Sequence, residues 1–107
     1  MKKVRRILRE LGITANYTGY YQIIWAVELA CQDSEFLAQM IKKIYCHVAE
    51  RSCSSWKAVE RNIRTVVTKA WENNPDLLRR LVGEELYRPP TNSVFLSILT
   101  EIAMERD

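Results

Sequence analysis

The sequence predicts an all-α fold, a compact bundle of about six helices containing a helix-turn-helix, and three observations carry that expectation. Only three glycines and three prolines interrupt 107 residues. Apolar side chains recur at steps of three and four through most of the chain. Polar capping residues punctuate those periodic runs. A chain of this length is expected to be one domain, residues 1–107, that buries a modest core without staples. Its hydrophobic content of 48% and charged content of 27% are those of globular rather than disordered chains.

The elements follow in order. Val4, Ile7, Leu8 and Leu11 lie at helical spacing, and Gly12 stands where a C-terminal cap belongs. Lys2, Lys3, Arg5 and Arg6 form the polar face of this first helix. Residues 13–16 read as a connector. A second helix is expected from Thr18 to Cys31, apolar on most sides through Tyr21, Ile24, Trp25, Val27 and Leu29, and hence central. Asp33 is a suitable N-cap for a third helix bearing Phe36, Leu37, Met40, Ile41, Ile44 and Tyr45. A bend near Tyr45–His47 then leads to a short helix ending near Arg51. Ser52-Cys53-Ser54-Ser55 reads as a tight turn. The longest run follows, with Val59, Ile63, Val66, Val67, Ala70 and Trp71 on one stripe and a stop at Asn73-Asn74-Pro75. Asp76–Val82 is a short helix closed by Gly83, and Asn92 or Ser93 is expected to cap the last one. Trp25 and Trp71 are expected in the core, and Trp56 covers the turn or touches a sugar-phosphate backbone.

Composition narrows function. A net charge of +3 permits a nucleic-acid partner without requiring one. Three cysteines, no C-x-x-C pair and no long apolar run point to a reduced, cytoplasmic chain with no membrane segment. Cys46, His47 and Cys53 match no zinc spacing, so no metal is expected and the two cysteines read as half-buried packing residues. Adjacent Cys46 and His47 point apart on a helix, and no Gly-rich phosphate loop occurs. The chain is read as a non-enzyme without cofactors.

One constellation carries chemistry. Val48-Ala49, the polar turn, and Val59 ten residues after Ala49 have the spacing at which the two helices of a helix-turn-helix meet. The second helix, about residues 55–73, would be the recognition helix. It offers Ser55, Lys57, Glu60, Arg61, Arg64 and Thr65 as candidate DNA contacts. Arg61 can donate two hydrogen bonds to guanine, and Glu60 can accept from cytosine. Lys57 and Arg64 can neutralise phosphates. A basic helix face is also an ordinary solvated surface, so the pattern by itself leaves both readings open.

A resemblance adds to the DNA reading. Tyr45-x-x-Val48-Ala49-Glu50-Arg51, followed after the turn by Val59-Glu60-Arg61-x-Ile63-Arg64, resembles the effector domain of the master response regulator of sporulation initiation in endospore-forming Firmicutes. Leu11-Gly12-Ile13 with Ala15-x-x-x-Gly19-Tyr20, Ala70-Trp71 and Pro90-Thr91-Asn92-Ser93-x-Phe95 resemble it too. The resemblance implies a six-helix domain that binds a short GC-containing promoter box as a tandem homodimer and contacts the sigma subunit of RNA polymerase. It implies base reading at Glu60 and Arg61 and a DNA contact at Arg64. Three departures stand out. Ala58 occupies the place of a base-contacting family arginine, the segment Glu72–Pro89 is shorter, and Ser52 replaces a large apolar residue. No receiver domain is read in the chain. The alternative is an interaction module of the same fold that pairs with a related regulator or polymerase without reading sequence.

Overall fold

Capping chemistry sets most of the helix limits in the computed structural model, which describes residues 1–105. Six α-helices form: α1 Lys2–Glu10, α2 Gly19–Gln32, α3 Cys46–Ser52, α4 Trp56–Asn73, α5 Pro75–Val82 and α6 Asn92–Met104. No strand occurs among the described residues. The all-α bundle is therefore as the sequence predicts.

α1 ends in a Schellman turn. Gly12 has φ +77°, its N–H bonds to Arg9 O, and the N–H of Ile13 returns to Leu8 O at 2.8 Å. Both Leu8 and Ile13 are buried, which supplies the apolar contact that accompanies this motif. Asn73 and Asn74, which end α4, donate from their side-chain amides to the carbonyls of Leu11 and Glu10 at 3.1 and 3.2 Å. The end of α1 is thus pinned to the end of α4.

The expected third helix differs. Asp33 caps as expected, accepting from Glu35 N–H at 3.0 Å, but residues Ser34–Gln39 coil as a 3₁₀ helix and Met40–Tyr45 as a π-helix. The break falls at Gln39 (φ −129°, ψ 56°) and not near Tyr45–His47, where Tyr45 and Cys46 keep helical dihedrals into α3. The wider π turn, with Cys46 N–H reaching back to Ile41 O, buries Ile44 and Tyr45 side by side and leaves Ile41 exposed.

The last helix also corrects the expectation. Thr91 is its cap, accepting from Val94 N–H at 3.2 Å, whereas Asn92 lies inside the helix and is buried. Asn74 caps α5 with Pro75 in the first helical position, and Gly83 at φ +75° closes it.

A single apolar cluster draws on all six helices: Val4 and Leu8 from α1, Ile23, Ala26 and Val27 from α2, Val48 and Ala49 from α3, Val59, Ile63, Val66 and Ala70 from α4, Leu78 from α5, and Phe95, Leu96 and Leu99 from α6. α2 is its central helix. Gly19 opens α2 against α4, so close that a Cβ there would stand 2.5 Å from the Asn62 carbonyl oxygen. Gln22 accepts from the Asn62 side chain at 3.1 Å beside this crossing.

Some expected core residues sit at its edge. Trp25 and Trp71 are half-buried, each beneath a guanidinium: Arg51 at 4.3 Å from the Trp25 ring centre and Arg79 at 4.9 Å from that of Trp71. Tyr21 is exposed. Cys46 and Cys53 are exposed rather than half-buried, because Cys46 falls on the outer face of α3 and Cys53 at the turn.

Cys53 adopts the left-handed conformation (φ 53°, ψ 44°) that glycine normally supplies at a helix end. Its N–H bonds to Glu50 O and that of Ser54 to Ala49 O, so α3 also ends in a Schellman turn. A side chain in this region is disfavoured, so Cys53→Gly is expected to stabilise the domain by about 0.5–1 kcal/mol, read as a higher urea midpoint with an unchanged slope. A lower midpoint would show that the Cys53 side chain contributes contacts that outweigh the backbone strain.

Candidate nucleic-acid interface

α3, three turn residues and α4 stand where the sequence places a helix-turn-helix. Ala49 and Val59, either side of the turn, are both buried in the core cluster, and α3 packs on α4. Ser55 starts α4 as N-cap, its Oγ accepting from Ala58 N–H at 3.1 Å. Trp56 is half-buried against the core cluster, with Lys57 Nζ 5.9 Å from its ring centre. The 18 residues of α4 make a helix about 27 Å long.

The buried stripe of Val59, Ile63, Val66, Val67 and Ala70 fixes which residues of α4 face out. Lys57, Arg61, Arg64 and Thr65 are exposed and share the opposite face. Thr65 donates its hydroxyl to Arg61 O at 3.0 Å, a local bond that leaves the Arg61 side chain untouched. The Arg61 guanidinium forms no ion pair or hydrogen bond with any described residue. Arg64 differs, since its Nη1 lies 2.6 Å from Glu60 Oε1, one helical turn back. Glu60 is half-buried and sits on the flank of α4 rather than on its outward face.

That flank borders an open groove of about 510 Å³ between α4 and the start of α6, walled by Tyr45, Glu60, Arg64, Thr68 and residues 89–93. Asn92 anchors its floor. The Asn92 side-chain amide donates to Tyr45 Oη at 3.0 Å and to the Glu60 carbonyl at 3.1 Å, joining α6 to the π segment and to α4. Burial pushes the Tyr45 phenol up, the Asn92 hydrogen bond acting against it, so the phenol oxygen stays protonated while accepting from Asn92. Sequence reasoning treats Asn92 as a cap candidate and misses this role. Partners 47 and 32 residues away leave no local pattern.

Asn92→Ala is expected to lower stability by about 1–3 kcal/mol, since it orphans the buried Tyr45 hydroxyl, while the Glu60 carbonyl keeps its helical partner. The check is thermal unfolding of Asn92→Ala beside the double variant with Tyr45→Phe. The double variant should recover part of the loss, and simple additivity would show that the two groups are not coupled.

Lys57, Arg61, Arg64 and Thr65 thus share one face over the first half of α4 and its middle, with Ser55 at the N-cap and Glu60 on the flank. Ala58, half-buried, offers no polar group there. Cys46 and His47 are exposed on α3. Among the described residues no three His, Cys, Asp or Glu side chains converge as a metal site, and no helix is long and apolar enough to cross a membrane. The family model described as the C terminal of the sporulation initiation factor Spo0A matches residues 4–102, from the first turn of α1 to the last of α6. With the match running through every helix, the chain belongs to the sporulation initiation factor Spo0A C-terminal family.

Proposed function

We propose that residues 1–107 are one cytoplasmic DNA-binding effector domain that regulates transcription at the start of sporulation, with α4 in the major groove of promoter DNA. The observation that carries this is Arg61. A planar, permanently charged fork stands on the outward face of α4, about a turn and a half from its N-terminus, with no partner among the described residues. In this reading Arg61 and Glu60 address base edges, and Lys57 and Arg64 address phosphates. The Ser55 hydroxyl proton and Thr65 add polar contacts at the edges of the groove. The domain binds as a homodimer on paired boxes and presents a surface to the sigma subunit of RNA polymerase. The family membership supports the regulatory setting.

A second reading has one specific observation in its favour. Glu60 is held by Arg64 at 2.6 Å, and Ala58 gives nothing to a base, which suits an interaction module that does not read sequence. Binding of the purified chain to a GC-containing promoter duplex and to a scrambled duplex, titrated with salt, separates the two. The DNA-reading domain prefers the promoter by a factor of about a thousand or more. Equal affinity for both duplexes overturns it.

A further inference from the structure

α1 holds the entire positive excess of the chain. It contains five basic residues, Lys2, Lys3, Arg5, Arg6 and Arg9, against the single acid Glu10, whereas the rest of the sequence has eleven basic and twelve acidic residues. Positions 2, 5, 6 and 9 fall on one face of a helix, opposite buried Val4 and Leu8. All four of those side chains are exposed. None forms an ion pair with a described residue, whereas Lys3 reaches Glu105 at 3.9 Å and Arg51, Arg64, Lys69 and Arg79 all have carboxylate partners within 4.0 Å. Four of the cations elsewhere are neutralised in this way, whereas α1 gathers four unpaired ones on a single face.

The stripe is also continuous with the recognition face. Arg5 and Arg9 line a shallow groove with Ile13, Thr14, Ala15 and Tyr20. The chain passes from there directly to residues 16–19, which line the next groove with Asn62, Thr65 and Val66 of α4. The 14–18 loop therefore joins the groove beside α1 to the one that reaches Thr65, one helical turn from Arg61.

We propose that the Lys2/Arg5/Arg6/Arg9 face of α1 is a second DNA contact, holding the phosphate backbone beside the box that α4 addresses. The inference rests on the DNA-binding reading and extends it. A fixed row of four cations matches a polyanion with regularly spaced charges. It adds affinity and salt dependence without sequence information, because phosphates are alike at every position.

The test compares the wild-type chain with Arg5→Gln/Arg9→Gln on two duplexes, one limited to the box and one carrying about ten extra base pairs on each side. On the long duplex the double variant should lose about 2 from the slope of log affinity against log salt, at about 0.9 for each phosphate released. Over a fourfold rise in salt, wild type then loses roughly ten times more affinity than the variant. The ratio of promoter to scrambled affinity stays unchanged, and Arg5→Lys/Arg9→Lys restores the slope. Circular dichroism confirms that all variants fold, and glutamine suits an exposed helix position.

A double variant with the wild-type slope on the long duplex overturns the proposal while leaving the α4 reading intact. Loss of binding to phosphatidylserine vesicles with duplex binding unchanged overturns it in favour of a lipid surface. A wild-type chain that binds neither duplex removes both readings.

Discussion

Gly19→Ala is expected to lower the stability of the domain by about 3 kcal/mol, the upper end for overpacking a tight core. The reason is the identity of the atoms in the way. A Cβ at position 19 would lie 2.5 Å from the Asn62 carbonyl oxygen, 2.9 Å from its carbonyl carbon and 2.9 Å from Val66 Cγ2. Two of these belong to the backbone of α4, which cannot swing aside as a side chain would. α2 and α4 must part, loosening the packing of Ile23, Val59, Ile63 and Val66. For a domain of about this size each kcal/mol moves the thermal midpoint by roughly 4–8 °C, so a fall of about 12–24 °C is expected. Gly83 is the control. Its Cβ would meet nothing within 4 Å, so Gly83→Ala should show only the penalty of its φ of +75°. Equal losses at the two glycines would mean that the α2–α4 crossing yields more readily than its spacing indicates.

The separation between helices at Gly19 also bears on the interface. α4 is held by contacts on three sides: Gly19 and Gln22 from α2, Asn92 from α6, and the side chains of Asn73 and Asn74 against the end of α1. The outward face therefore has a fixed orientation relative to the core. A helix set in this way presents Arg61 without first ordering the backbone that bears it.

Local rules made much of this legible. Gly12, Asp33 and Gly83 act where a capping reading of the sequence puts them, α4 stops at Asn73-Asn74-Pro75 as expected, and the periodic stripe of α4 is the buried one. Residues 34–45 were not legible because spacing alone does not distinguish an α-helix from a 3₁₀ turn followed by a π turn. The apolar pattern of Phe36, Leu37, Met40 and Ile44 is compatible with both. The candidate contacts on α4 follow from its stripe, since residues opposite an apolar face must point out. The half-burial of Glu60 does not follow, because it depends on α6 arriving from 32 residues further along the chain. Cys53 shows a similar limit. Cysteine composition suggests packing, but hydrogen bonds from Cys53 and Ser54 back to α3 place it in a left-handed turn at the surface.

Arg61→Ala is expected to weaken binding to the promoter duplex by about 1–3 kcal/mol and to relax preference at one base pair, leaving scrambled DNA affected far less. Arg61 is exposed, and among the described residues only its backbone carbonyl accepts a side-chain hydrogen bond, so the substitution disturbs little inside the protein. Arg64→Ala should behave differently on two counts. As a phosphate contact it should lower affinity for all duplexes alike and flatten the salt slope by about 0.9. It also breaks the 2.6 Å ion pair and frees Glu60, whose carboxylate then stands near DNA without a neutralising partner. Part of the Arg64→Ala loss should therefore return in the double variant with Glu60→Gln, a recovery that Arg61→Ala has no means to show. The measurement is a set of salt-dependent binding curves for the four proteins on promoter and single-base-substituted boxes, with circular dichroism to confirm folding. Exposed helical sites replaced by alanine leave the fold intact. If a folded Arg61→Ala protein keeps its full base preference, the outward face of α4 is not the reading surface, and the interaction-module reading takes its place.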